Sequence, residues 1–126
     1  MPFYDPQAGD FKIMYLQEYR PNQTTYHPFW AVSTKNGGSY TSLGELIPTG
    51  TEDEPDAALG TGCIFYDETN KVYYTYYTGH TADAEVVMRA TSTDFKMWNK
   101  DRTFFLLGSN DGYSRKDFRD PFIFES

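Results

Sequence analysis

The chain has 126 residues, enough for one small domain with its own hydrophobic core. Its formal net charge of −7 argues against a nucleic-acid partner, whose phosphates require a basic surface, and against an anionic membrane surface. Aromatic residues make up 18% of the sequence, and the single cysteine, Cys63, excludes an intramolecular disulfide. Cys63 lies in an apolar run, which predicts a small buried side chain rather than a catalytic thiol.

The first half of the chain predicts four short strands separated by polar turns. Phe3-Tyr4-Asp5 opens the first strand, and an aromatic and β-branched segment follows after a turn at residues 6–10. Asn36-Gly37-Gly38 and Pro48-Thr49-Gly50 mark later turns. The predicted strands cover residues 3–5, 11–16, 30–33 and 43–47.

The second half of the chain repeats this order. Phe65-Tyr66-Asp67 follows Phe3-Tyr4-Asp5 by 62 residues, and Ala90-Thr91-Ser92-Thr93-Asp94 follows Ala31-Val32-Ser33-Thr34-Lys35 by 59. A third copy begins at residues 121–125. The strands predicted in the second copy cover residues 65–67, 72–77, 86–90 and 103–107. No segment carries an apolar period of 3.6 residues, so helix should be scarce.

Four strands per repeat of about 60 residues are typical of β-propeller blades. We therefore predict an all-β fold with two four-stranded antiparallel blades and the first strand of a third. The blade-like repeats would cover residues 1–58 and 59–117, and the third would start at 118–126, all within one partial propeller domain. The alternative is a single β-sandwich whose hairpins resemble each other by chance.

A propeller closes with four or more blades, so two blades suggest a fragment or a chain that completes itself by association. The open side of two blades would expose apolar side chains on a sheet face. Such patches mark interfaces, and we therefore expect the isolated chain to self-associate.

Five segments resemble one family across nearly the whole chain. They are Met14-Tyr15-Leu16-Gln17, residues 27–34 with His27 and Trp30, Gly60-Thr61-Gly62-Cys63, residues 90–98, and Phe118-Arg119-Asp120-Pro121. The last is the most specific, because it falls where a third blade would begin. Together they resemble glycoside hydrolase family 32, the five-bladed propellers that hydrolyse fructans and sucrose-like β-fructosides. The related family 43, of arabinan and xylan hydrolases, shares several of these strands.

The resemblance implies a retaining mechanism run by two carboxyl groups that flank the scissile bond. In the family, an Asp on the first blade is the nucleophile, a Glu is the acid and base, and the Asp of Arg-Asp-Pro steadies substrate hydroxyls at the transition state. Asp120 matches only this last role. By the same resemblance, the substrate-binding residues are Arg119, Gln17, Trp30, Thr61 and Gly62.

The nucleophile and the acid/base have no counterpart in the sequence, and we expect them upstream of Met1 and downstream of Ser126. Asp5 is a poor substitute for the nucleophile, since its repeat counterpart Asp67 occupies an ordinary hairpin turn. Glu125 follows Asp120 too closely to be the acid/base. The isolated chain is therefore expected to be inactive, with its N-terminal part missing.

The same residues also have structural interpretations. Asp120 could cap a turn, Gln17 could be an exposed edge residue, Trp30 could be core, and His27 fits a surface loop best. The acidic run at residues 52–56 could supply calcium ligands, but it lacks the spacing of a calcium-binding loop and predicts a solvated loop instead. We expect neither a metal nor a cofactor.

The sequence therefore predicts a segment of a glycoside hydrolase that cleaves β-fructosidic bonds, with an oligosaccharide as its partner. The alternatives are a family 43-type enzyme acting on arabinan or xylan, and a non-catalytic carbohydrate-binding propeller fragment. No apolar stretch approaches the roughly 20 residues of a membrane span. The sequence does not distinguish between a secreted, a periplasmic and a cytoplasmic location.

Overall fold

The computed structural model describes residues 1–17, 28–50, 54–80 and 85–101, and the backbone of residues 106–107. These residues form nine β-strands and no helix, and so none of the described segments is a helix that could span a membrane. The strands are β1 (Pro2–Asp5), β2 (Asp10–Leu16), β3 (Phe29–Thr34), β4 (Thr41–Ile47), β5 (Ala58–Asp67), β6 (Val72–His80), β7 (Glu85–Ser92), β8 (Asn99–Lys100) and β9 (Leu106–Leu107).

The strands form two antiparallel meanders in chain order. The first sheet has the order β1-β2-β3-β4, and the second sheet has the order β5-β6-β7-β8. The short strand β9 also pairs with β7, near the start of β7, whereas β8 pairs near its end. The predicted all-β fold with two four-stranded antiparallel sheets is thus confirmed, with the fourth position of the second sheet shared by β8 and β9.

The fourth strand of the second repeat begins earlier than predicted. Residues 103–107 were expected to form it, whereas pairing with β7 starts at Asn99 opposite Thr91. The Asp94 side chain accepts hydrogen bonds from the backbone N–H groups two and three residues later, so the chain reverses within a few residues of β7. Residues 102–105, between β8 and β9, lie outside the described part of the chain.

The described residues of the two sheets share a hydrophobic core that lies between them. Alternation along β6 shows how it is built: Tyr73, Thr75 and Tyr77 are almost fully buried, while Tyr74 and Tyr76 lie half-buried on the other face. Burying such a ring stabilises the fold by roughly 1.5–3 kcal/mol. The cluster contains Met14, Phe29, Ala31, Leu46, Ile47, Leu59, Tyr66, Tyr73, Tyr77, Val86, Met88, Ala90 and Phe95.

The first turn of each sheet has the same geometry. Asp5 Oδ1 accepts hydrogen bonds from the backbone N–H groups two and three residues later, and Asp67 Oδ1 does the same in the second sheet. At the last residue of each turn, Gly9 and Lys71 both have positive φ, of 70° and 58°. The repeat spacing of 62 residues therefore holds in the backbone as well as in the sequence.

The later turns are also equivalent, at a slightly different spacing. Gly37 and Phe95 have φ of 78° and 66°, and each follows a side chain, Asn36 or Asp94, that caps the N–H two residues later. Their spacing is 58 residues, one fewer than the 59 predicted from the Ala31 and Ala90 segments. Strand register gives the same 58, since Trp30 pairs with Tyr15 and Met88 pairs with Tyr77.

Residues at equivalent positions of the two repeats differ in the side they face. A position that faces the shared core in the second sheet faces away from it in the first sheet. Tyr66 and Tyr73 face the core, at 9% and 2% exposed, whereas their counterparts Tyr4 and Phe11 are 53% and 51% exposed. A two-fold related sandwich would bury the same positions in both sheets. The two sheets instead face the same way, as successive members of a stack do.

Candidate functional site

Part of the site predicted from the sequence lies outside the described residues. Asp120 and Arg119 are among them, as is His27. Their assignments stay predictions. Gln17, Trp30, Thr61 and Gly62 are described, and their places in the two sheets can be compared.

Gln17 directly follows β2 and is exposed. Its backbone N–H donates to the carbonyl oxygen of Pro28 at 3.0 Å, which extends the β2–β3 pairing by one step. Its side chain therefore stands at the end of the first sheet where β1 begins, since the N-terminal amine of Met1 donates to the carbonyl oxygen of Met14 at 2.9 Å.

Thr61 and Gly62 form a β-bulge in β5. Pairing with β6 shifts between Gly60 and Cys63, so two residues of β5 stand opposite one residue of β6. Thr61 is exposed, and its carbonyl oxygen accepts a hydrogen bond from Thr78 Oγ1 at 3.1 Å. Bulges re-aim side chains and are frequent beside binding sites, so this one suits the predicted role of Thr61.

Gln17 and Thr61 lie at the same end of the two sheets. Met1 Sδ is 3.9 Å from Thr75 Oγ1, and Thr75 pairs with Ile64, which places the start of β1 level with the middle of β5. The bulge at Thr61 and Gly62 lies closer to the start of β5 than Ile64 does. It is therefore displaced toward the same end of the sheets as Gln17, which follows the end of β2. Each repeat thus presents a polar residue at the end of the stack where its first strand begins.

Trp30 lies on the face of the first sheet that points away from the core. Its strand neighbours Phe29 and Ala31 are fully buried in the core, so the Trp30 side chain points to the opposite face of the first sheet, where it is half-buried. It pairs across the strands with Tyr15 and Glu45. The role of Trp30 in substrate binding stays a prediction.

A buried ionic cluster that the sequence analysis missed links the two sheets at the opposite end. Lys12 Nζ lies 2.6 Å from Asp5 Oδ2 and 2.6 Å from Asp10 Oδ1, and Asp5 Oδ1 accepts a hydrogen bond of 2.6 Å from the hydroxyl of Tyr73. Asp5 and Lys12 are only 1% and 6% exposed. The Lys12 ammonium also sits 5.2 Å from the centre of the Phe95 ring.

This cluster lines a cavity of about 300 Å³ between the first turn of the first sheet and the turn after β7. Burial opposes ionisation of Asp5, but hydrogen bonds from Lys12 and Tyr73 outweigh it and lower the pKa of this carboxyl. Burial and the neighbouring Asp5 carboxylate raise the pKa of the Tyr73 hydroxyl. Asp5 thus remains an acceptor and Tyr73 a donor at neutral pH.

The chemistry open to this cluster is narrow. Asp5 accepts hydrogen bonds from two backbone N–H groups, from Lys12 and from Tyr73, so its lone pairs are committed and it is a weak nucleophile. The cluster also lies at the turn end of β1, away from Gln17 and Thr61. Its role is to join the two sheets, and Asp5 therefore differs from Asp67, whose exposed carboxylate binds only within its own turn.

A second buried ion pair corrects the interpretation of the acidic run at residues 52–56. Asp56 is fully buried, and its Oδ2 lies 2.6 Å from Lys100 Nζ, so the prediction of a solvated loop is wrong for this residue. The Asp56 carbonyl oxygen accepts the Gly50 N–H at 2.8 Å. A lysine 44 residues away supplies the countercharge, and sequence alone did not suggest this pairing. Within the described residues, no group of three or more His, Cys, Asp or Glu side chains could hold a metal ion.

The lowered pKa of Asp5 predicts an acid-dependent contribution to stability. Asp5→Asn keeps the turn acceptor and removes the charge, so the wild-type chain should be the more stable of the two at neutral pH. This advantage should be complete above about pH 4, the usual aspartate pKa, and should be lost as pH falls through the lowered pKa of the folded state. Urea unfolding of both chains across acidic pH measures it; an advantage that stays constant throughout would contradict the assignment.

No protein-family model and no curated protein matches this sequence. The resemblance to glycoside hydrolase family 32 accordingly depends on the motifs quoted above.

Proposed function

We propose that this chain forms part of a propeller glycoside hydrolase that cleaves β-fructosidic bonds. In this proposal Asp120 holds substrate hydroxyls at the transition state, with Arg119 beside it. Gln17, Thr61 and Gly62 line the same pocket from the first and second blades. Trp30 is a further candidate for contact with the sugar.

The observation that carries the proposal is the orientation of the two sheets. Propeller blades follow one another by rotation, so each blade turns the same face toward the next. The exposed Tyr4 and Phe11, set against their buried counterparts Tyr66 and Tyr73, follow this pattern. A β-sandwich would place all four rings in one core. The arrangement thus favours blades, and blades are what the resemblance implies.

The geometry at one end of the sheets gives further support. The first strands of successive blades converge on one end of a central channel, so residues near their starts can share a pocket. Gln17 and the bulge at Thr61 lie at that end. Arg119-Asp120-Pro121 opens the third repeat in the sequence, at a position that corresponds to the bulge in the second. A substrate bound there would meet side chains from three repeats.

Asp120→Asn in the complete enzyme should lower kcat and kcat/KM together by about 100-fold. Charge-assisted hydrogen bonds to sugar hydroxyls contribute about 1.5–3 kcal/mol each, and those that tighten at the transition state act on kcat at about 1.4 kcal/mol per decade. Steady-state hydrolysis of sucrose and of fructan oligosaccharides measures the change, and thermal unfolding checks that the fold is intact.

Asp67→Asn is the matched control, because Asp67 is a turn residue of the second repeat whose carboxylate makes surface hydrogen bonds within its own turn. It should leave activity unchanged, and equal losses in both variants would reduce Asp120 to a turn residue. Cleavage of arabinan or xylan in place of fructans would transfer the proposal to the family 43 type. Sugar binding without turnover in the complete protein would favour the non-catalytic module.

A further inference from the structure

We propose that Thr78 is a positioning residue of the substrate pocket, because its buried hydroxyl holds the bulge of β5 from which Thr61 is presented. The inference rests on the proposed function, in which Thr61 lines the pocket. Thr78 lies in β6 and is 1% exposed, so it would act on a bound sugar only through its neighbours.

The bulge takes Thr61 out of the regular pairing of β5 with β6. Thr61 and Gly62 of β5 stand opposite Tyr77 alone. The extra residue of a bulge falls outside the ladder of hydrogen bonds, so its backbone needs other partners. Thr78 Oγ1 supplies one, since it donates to the Thr61 carbonyl oxygen at 3.1 Å. This hydrogen bond directs the carbonyl group of Thr61 toward β6.

The glycines on either side of Thr61 fit closely against β6. A Cβ on Gly60 would come within 3.0 Å of the Thr78 Cβ, and a Cβ on Gly62 would overlap the carbonyl oxygen of Tyr76. Thr61 lies between them and is exposed. Because its carbonyl group is directed toward β6, Thr61 offers the pocket its side chain. The position of that side chain therefore depends on Thr78.

Thr75 provides a comparison within the same strand. It is fully buried, and its Oγ1 donates to the carbonyl oxygen of Cys63 at 3.0 Å. Cys63 pairs with Tyr76, where the register resumes after the bulge. Thr75 and Thr78 thus make the same kind of hydrogen bond, but only that of Thr78 goes to a residue of the bulge. Thr75→Val should reduce stability without displacing Thr61, whereas Thr78→Val should do both.

Carbonyl carbon chemical shifts of the 126-residue chain test the structural part without a sugar. Thr78→Val removes the hydroxyl and keeps the shape of the side chain, so the Thr61 carbonyl signal should move upfield as its hydrogen bond is lost. Thr75→Val should move the Cys63 signal instead, and Thr78→Ser should keep the Thr61 signal at its wild-type position. A Thr61 signal that is unchanged in Thr78→Val would overturn the proposal.

Steady-state kinetics of the complete enzyme on fructan oligosaccharides test the effect on the pocket. Thr78→Val should raise KM by about fivefold with kcat nearly unchanged, because it weakens a contact that substrate and transition state share. Thr78→Ser should restore KM, and Thr75→Val should leave it at the wild-type value. Thr61→Val should raise KM to a similar extent, and adding Thr78→Val to it should raise KM no further, because Thr78 acts through Thr61.

The remaining outcomes separate this inference from the proposed function. Equal rises in KM for Thr75→Val and Thr78→Val, or additive losses in the double variant with Thr61→Val, would overturn the positioning role. An active enzyme in which Thr78→Val keeps the wild-type KM contradicts this inference alone. A complete protein that neither binds nor cleaves fructosides contradicts the proposed function, and the role of Thr78 toward a substrate is then overturned with it.

Discussion

Replacing Asp5 by alanine should lower the free energy of unfolding by about 3 kcal/mol or more. Asp5 is 1% exposed and binds Lys12 Nζ and the Tyr73 hydroxyl, each at 2.6 Å. Without its carboxylate, the buried Lys12 ammonium keeps only Asp10, and a buried hydroxyl from the second sheet loses its acceptor. Equilibrium unfolding in urea measures the loss.

Asp67→Ala is the control for this prediction. Asp67 makes the same turn hydrogen bonds as Asp5, but they lie at the surface and none reaches the other sheet, so its replacement removes the turn contacts alone. It should destabilise the chain much less than Asp5→Ala does. A double variant, Asp5→Asn with Lys12→Met, should recover part of the loss, because it removes the buried ammonium together with the Asp5 charge. The recovery should be incomplete, since Asp10 then loses its contact with Lys12. Equal losses at Asp5 and Asp67 would mean that the link between the sheets contributes nothing.

Local sequence signals were sufficient to predict most of the strands. Phe3-Tyr4-Asp5 and Phe65-Tyr66-Asp67 both lie at the ends of strands that lead into the predicted turns, and β2 matches the predicted residues 11–16 to within one residue. Turn chemistry acts over two or three residues, and alternation acts within one strand. Both can therefore be seen in a short stretch of sequence.

Contacts between distant residues could not be predicted in this way. The partner of Asp56 is Lys100, and the partner of Asp5 in the second sheet is Tyr73, 68 residues away. Two acidic residues with similar local sequence, Asp5 and Asp67, differ because the second sheet covers Asp5 and because Tyr74 occupies the position in the second repeat that Lys12 has in the first. The face of Trp30 also required the register of β3 to be known. The residue with the most specific motif, Asp120, lies outside the described residues.

Gly62→Ala should destabilise the chain by about 3 kcal/mol, at the upper end of the usual cost of overpacking. At the bulge of β5, a Cβ on residue 62 would overlap the carbonyl oxygen of Tyr76 and come within 2.9 Å of the Tyr77 Cα. Both contacts are with backbone, so no side chain can move aside and β5 must separate from β6. The bulge also sets the position of Thr61, so the same substitution should weaken any sugar binding that depends on Thr61.

Gly38→Ala is the matched control for Gly62→Ala. Gly38 lies in an exposed turn outside the left-handed region, and a Cβ there would come closest to the end of the Asn36 side chain, at 3.3 Å. Its unfolding free energy should stay within about 0.5 kcal/mol of wild type. If Gly62→Ala were equally mild, a Cβ would fit at residue 62, and β5 and β6 would be further apart at the bulge than in this structure. In that case Thr61 would not be held at the end of the sheet where Gln17 lies, and its proposed place in the substrate pocket would be lost.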